Sequence, residues 1–140
     1  MNRLQIVIID GQGGRMGKGI VEQLKKRFPD LPLTAVGTNS IATAAMMKAG
    51  ADWGATGENP VVVNSRSADV IIGPVGIVIA DSLLGEVTET MAAAVGKSPA
   101  HKLLIPVSHT VVGCRELSLS EYIRIACDEV ERMLAEESHL

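Results

Sequence analysis

Apolar residues change their spacing several times along the chain, and each change marks an element. Residues 4–9 are dense in β-branched side chains and stop at Asp10, followed at once by Gly11-Gln12-Gly13-Gly14. A continuous apolar run of this length, bounded by glycines, predicts a central parallel strand buried on both faces. From Gly14 to Phe28 the period becomes helical. Met16, Ile20, Leu24 and Phe28 recur every four residues and Val21 widens the stripe, while Lys18, Glu22, Lys25 and Lys26 lie off it. Pro29 ends that helix. Residues 33–36 predict a second short strand closing in Gly37-Thr38-Asn39-Ser40. Asn39 or Ser40 then caps a helix over 41–49, which Gly50 stops. Being nearly all Ala, Met and Ile, this second helix is expected to expose little to water, either sandwiched inside the domain or in a subunit contact.

The glycine-rich stretch 50–57 predicts a surface loop. Asn59-Pro60 has the form of a cap with proline at the first helical position, which predicts a short helix through Ser65 although Val61-Val62-Val63 favours a strand. Residues 69–72 predict a strand punctuated by Gly73-Pro74, whereas the apolar run 77–84 fits a strand or a buried helix equally well. Thr88 caps a helix over 89–95, with Gly96 after it. Residues 102–107 predict another strand. Ser118-Leu119-Ser120-Glu121 has the form of a capping box, and Leu119, Ile123, Ala126, Val130 and Leu134 make one stripe on the terminal helix. Strands alternate with helices throughout, with no internal repeat and no linker. The expected fold is α/β, a Rossmann-like parallel sheet with helices on both faces, residues 1–140 forming a single domain.

Composition narrows the function. The chain is 46% apolar and 21% charged, which excludes a disordered protein, and its net charge of −3 carries no basic run. Nucleic acid is therefore not an expected partner: there is no electrostatic footprint, and one Trp, one Tyr and one Phe leave few rings for base stacking. The opening Met1-Asn2-Arg3 and the apolar residues after it are too short for a signal peptide or a membrane span, and the longest later stretch, 75–84, is broken by Asp81 and Ser82. Two cysteines, Cys114 and Cys127, fit reduced thiols better than a disulfide framework. The expectation is a cytoplasmic protein with no membrane partner.

The informative segment is the glycine turn. A strand leads into Asp10-Gly11-Gln12-Gly13-Gly14-Arg15-Met16-Gly17 and on into a helix, at the start of a βαβ unit. Gly11 permits a tight turn, Gly13 or Gly14 lets backbone approach a ligand, and Gly17 lets the helix pack tightly against the strand. The free amides of the first helical turn, at the positive end of the helix dipole, favour an anion. The spacing fits G-x-x-G-x-x-G through Gly11, Gly14 and Gly17. Close packing alone is the competing explanation for such glycines.

Gly11-Gln12-Gly13-Gly14-Arg15-Met16-Gly17 resembles the GxGGRMG cofactor turn of dihydrodipicolinate reductases, which implies a turn holding the pyrophosphate of NADH or NADPH. The resemblance stops there. Thr38-Asn39-Ser40 stand where an acidic residue would bind the adenosine ribose, no histidine pair with a following lysine occurs, and 140 residues leave no room for the reductase's substrate domain. A second resemblance spans nearly the whole chain. Asp10-Gly11-Gln12-Gly13-Gly14, Gly37-Thr38-Asn39, Gly54-Ala55-Thr56-Gly57-Glu58-Asn59, Asp69-Val70-Ile71-Ile72-Gly73-Pro74 and Leu104-Ile105-Pro106 are similar to a family of small bacterial proteins of unknown function. That implies a Rossmann-like fold and a bacterial origin, and no particular reaction.

The candidate ligand-binding set is Asp10, Gly11, Gln12, Gly13, Gly14, Arg15, Met16, Gly17, Thr38, Asn39, Gly73 and Pro74. Asp10 sits where open α/β sheets place ligands, as a magnesium or ribose partner or as a cap for the turn. Thr38 and Asn39 face a ribose or base, or Asn39 serves as a helix cap. Gly73 and Pro74 close a third strand at the same edge, and Arg15 is placed to neutralise a phosphate. No C-x-x-C or H-x-x-x-H spacing supports a metal site among His101, His109 and Cys114, and adjacent Ser108 and His109 point opposite ways on an extended chain. The expected cofactor is NAD(P) or another nucleotide, bound by a sensor or accessory protein. The alternatives are a small homo-oligomeric enzyme, reductase or phosphoryl-handling, with Asp10 at its active site, and an interaction protein whose turn is empty.

Overall fold

The computed structural model describes residues 4–137, so Met1-Asn2-Arg3 lies outside it. The elements run β1 (Ile6–Asp10), α1 (Arg15–Arg27), β2 (Leu33–Gly37), α2 (Ser40–Lys48), β3 (Trp53–Thr56), α3 (Glu58–Ser67), β4 (Val70–Pro74), a 3-10 turn (Val75–Val78), α4 (Glu89–Lys97), β5 (His101–Ile105) and α5 (Leu119–Glu137). The strands form one parallel sheet in the order β3-β2-β1-β4-β5. In β1 every residue is buried, as its unbroken apolar run requires of a strand with layers on both sides.

Alternate residues of β1 feed two cores. Ile6 and Ile8 pack with Ile20 and Leu24 of α1, Met46 of α2, and Ile123 and Val130 of α5. Val7 and Ile9 pack with Val61 of α3 and Met91 and Val95 of α4. Helices therefore cover both faces of a single α/β domain with a Rossmann-like fold. The four-residue stripe of α1 and the cap of α4 lie where the sequence puts them, with Thr88 Oγ1 accepting from Met91 N at 3.1 Å. At the start of α5, Ser118 Oγ accepts from Glu121 N at 3.3 Å and donates to Glu121 Oε1 at 3.0 Å.

Three expectations are corrected. The stretch 50–57 is not a plain loop but contains β3, an edge strand paired to β2 on one side only, so most of its side chains face solvent and leave no apolar run to read. The run 77–84 is neither strand nor buried helix. Ile77 is buried but Leu84 is 96% exposed, and Asp81, Leu83 and Leu84 adopt φ of 66°, 55° and 56°, which only a succession of tight turns accommodates. Helix α2 is not sandwiched inside the domain, the first of its two expected settings: Ala42 and Met46 are buried, while Ile41 is 69% exposed on this chain. In addition, α3 starts at Glu58, ahead of the expected Pro60, and β5 ends at Ile105, ahead of the expected Val107.

Candidate functional site at the sheet crest

The chain leaves β1 towards β2 and β3, then returns to β4 on the other side of β1. At such a switch the loops after the two central strands diverge at their carboxyl ends and leave a crevice. Here the glycine turn meets the segment 75–88 at that point, with Gln12 N donating to Glu86 Oε1 at 2.9 Å.

Asp10 laces the turn to the helix. Its side chain is buried, with Oδ1 accepting from Gly11 N at 2.8 Å and Oδ2 from Gly17 N at 2.7 Å. Burial pushes its carboxyl above the ordinary value; the Gly17 and Gly11 amides oppose that rise, and the nearby charge of Glu86 adds to it. Both oxygens are thus engaged in shaping the turn, the arrangement of a cap.

The glycines have different reasons to be glycine. Gly14, the N-cap of α1, has φ +72°, and a Cβ there would lie 2.8 Å from the Cα of Ala42 in α2. At Gly17 a Cβ would collide with Met46 Sδ and sit 3.0 Å from Asp10 Cβ, so the tight packing is against α2 as well as against β1. At Gly11 it would meet Thr38 Oγ1 at 2.5 Å and Leu83 Cδ1 at 2.7 Å. Gly13 differs: its Cβ direction opens onto empty space. The Gly13 and Arg15 amides have no acceptor among the described residues, and the N-cap offers no side-chain hydrogen bond and the first turn no acidic residue. Arg15 is exposed beside them, whereas the Met16 side chain points into the core.

Opposite the turn stands a residue the sequence does not single out. Glu86 Oε1 accepts from Gln12 N at 2.9 Å, Thr38 Oγ1 at 2.7 Å and Asn39 Nδ2 at 2.7 Å. Burial pulls the Glu86 carboxyl upward, but these three donors outweigh it and hold it below the usual glutamate value. Asn39 does two jobs. Its Oδ1 caps α2 by accepting from Ala42 N at 2.9 Å, and its Nδ2 also donates to the Gln12 carbonyl at 2.9 Å. Asp10, Gln12, Thr38 and Asn39 therefore do converge, with Glu86 as their common neighbour. No local signal announces Glu86, because its partners lie 47 to 74 positions away.

Gly73 and Pro74 lie at the same crest but are buried; a Cβ on Gly73 would strike the Ile9 carbonyl, so this glycine lets β4 approach β1. Ser108 and His109 form no hydrogen-bonded pair: the buried His109 Nδ1 lacks a partner, and its ring lies against Gly76. Among the described residues no group of three or more His, Cys, Asp or Glu could hold a metal, and no helix is long and apolar enough to cross a membrane.

A family model described as a domain of unknown function (DUF3842) matches residues 5–135. No curated protein matches the chain. Among solved structures it is similar to a dodecameric FMN-dependent UbiX-like decarboxylase from Escherichia coli O157:H7, at 17% identity and a TM-score of 0.46, over 89% of this chain and 75% of that one.

Proposed function

We propose, for a chain that belongs to the DUF3842 family and has a Rossmann-like fold, that the crest binds a nucleotide, of NAD(P) type or another, through the amides of Gly13 and Arg15. The observation that carries this reading is the pair of unused donors at the mouth of α1, beside a glycine that packing does not require. An anion at a helix N-terminus gains about 0.3–2 kcal/mol. Millimolar affinity takes about 4 kcal/mol, so phosphate alone is too weak and the rest of the ligand must supply contacts. Thr38, Asn39 and Glu86 are the polar groups within reach to do so.

Asp10 has both oxygens committed to backbone amides of the turn. This favours a sensor or accessory protein for a phosphate-bearing small molecule over an enzyme built on Asp10. Isothermal titration with NAD+, NADH, NADP+, NADPH, ATP and AMP tests the proposal. Saturable binding by at least one, weakened by added salt as phosphate contacts require, is the expected result. No heat from any of them at millimolar concentration overturns it.

A further inference from the structure

The α3–α4 side of the sheet carries a concavity that shares no residue with the crest. Val61 of α3 and Met91 and Val95 of α4 pack against Val7, Ile9 and Ile71 of the sheet. On the outer side of that packing the two helices leave a groove of about 580 Å3. Small-molecule sites typically measure about 300–1,000 Å3. Its apolar lining is Val62, Ala93, Ala94 and Pro99, and no acidic residue lines it.

Positive charge is confined to one end. Both helices return from the crest to the amino ends of the strands, so their last turns lie together. Arg66 of α3 and Lys97 of α4 stand in those turns and line the groove. Helix dipoles favour a cation in any last turn but do not specify its face; here both cations lie on the face where the groove opens. Neither has an anionic partner among the described residues. Ser65 lines the same groove, is 1% exposed, and its Oγ has no hydrogen-bond partner. Its neighbour is already engaged: Ser98 Oγ donates to the Ser65 carbonyl at 2.6 Å and accepts from Ala100 N at 3.1 Å. A buried hydroxyl without a partner is costly to the fold, and a bound acceptor removes that cost.

We propose that the α3–α4 groove binds an amphipathic organic anion, a small carboxylic acid with an apolar tail. Its carboxylate lies between Arg66 and Lys97 and accepts from Ser65 Oγ, and its tail covers Val62, Ala93 and Ala94. Thr90 and Lys97 bound the groove along α4, a separation of about 10 Å of helix, which the chain of octanoate spans. The charge disfavours a second copy docked by the same face, because like charges would meet. A docked peptide helix would call for a row of anchor sites, whereas this groove has one charged end and one apolar stretch. The inference does not draw on the nucleotide reading of the crest.

Amide NMR titrations with octanoate, 1-octanol, octylamine and a synthetic Glu- and Leu-rich amphipathic peptide test the proposal. Octanoate should shift the amides of Arg66, Ala93, Ala94 and Lys97 saturably and leave those of Gly13 and Arg15 unmoved. With the same tail and no charge, 1-octanol should bind at least tenfold more weakly, and octylamine should not bind. An Arg66→Gln, Lys97→Gln double variant should bind octanoate and 1-octanol alike. Ser65→Ala, which removes an unsatisfied hydroxyl, should keep its urea midpoint while losing about tenfold in octanoate affinity. Three results with wild type alone overturn the proposal: equal binding of 1-octanol and octanoate, shifts confined to residues outside the groove, or no shift at millimolar octanoate. Unchanged octanoate affinity in the folded double variant or in Ser65→Ala also overturns it. Tighter binding of the peptide than of octanoate would assign the groove to a protein partner and overturn it as well.

Discussion

Four glycines stand within seven residues after β1, and what each side chain would meet separates structure from function there. Gly14 is left-handed and pressed against the backbone of Ala42, so Gly14→Ala should cost about 2 kcal/mol or more in urea unfolding. Gly13→Ala meets nothing within the protein and needs no unusual backbone, so stability should change by less than about 0.5 kcal/mol. On the proposed nucleotide reading its methyl would stand in the path of the phosphate, and nucleotide affinity should fall at least tenfold in titration calorimetry. A Gly13→Ala protein that binds as well as wild type would move the ligand away from this amide. The two carboxylates of the crest make a second residue-scale prediction, because their linkage has opposite signs. Asp10 holds its proton more tightly folded than unfolded, so its stabilising contribution is full below pH 3.8 and is lost as pH rises through its raised folded value. Glu86 is held below its ordinary value, so its contribution is present above pH 4.5 and is lost as pH falls through the lowered one. Glu86→Gln should flatten the loss of stability on acidification below pH 4.5, as read from urea midpoints over a pH series. A variant curve parallel to wild type would mean that the three hydrogen bonds to Glu86 are not formed in solution.

At the scale of elements, what the sequence shows depends on whether an element's burial pattern is local. The stripe Met16, Ile20, Leu24 of α1 and the Ser118–Glu121 cap of α5 are complete within a few residues, and both lie where the pattern predicts. The unbroken run of β1 likewise follows from two covering layers. β3 is invisible for the opposite reason. An edge strand of Trp-Gly-Ala-Thr buries almost nothing, and Gly54 is set by Met47 of α2, which lies 2.6 Å from where a Cβ would be. The segment 77–84 misleads because its apolar residues do not share a face: Ile77 joins the core beneath β1 while Leu84 faces solvent. The candidate site divides in the same way. The turn 11–17 is a contiguous motif and could be read as one. Glu86 belongs to the site only because the crossover from β3 to β4 reverses the direction of sheet growth and folds the next loop back over β1 and β2, a fact that no window of sequence contains.

At the scale of the whole molecule, the two cores meet through the sheet. In β1, Ile8 belongs to the layer with α1 and α5 while its neighbour Ile9 belongs to the layer with α3 and α4, and Ile71 and Ile72 divide the same way in β4. Neither layer can lose its packing without disturbing strands on which the other depends, so the chain should unfold as one unit. Cys127 supplies a probe. It is fully buried in the α5 layer, and burial raises its thiol from 9.0 to about 11, so reagent at mildly alkaline pH meets almost no thiolate until the fold opens. Cys114 is exposed and should react at once. Thiol labelling should therefore show one fast and one slow group, the slow one reporting the global opening free energy, about 5–15 kcal/mol for a domain of this size. Hydrogen exchange at Val95 of α4 and Val130 of α5, on opposite faces of the sheet, should give that same free energy. If Val95 exchanged through an opening several kcal/mol cheaper than the one exposing Cys127, the α3–α4 layer would be a separate cooperative unit. The loop that carries Glu86 to the crest, anchored on that layer through Val87, would then be free to leave the turn while the rest of the fold stayed intact.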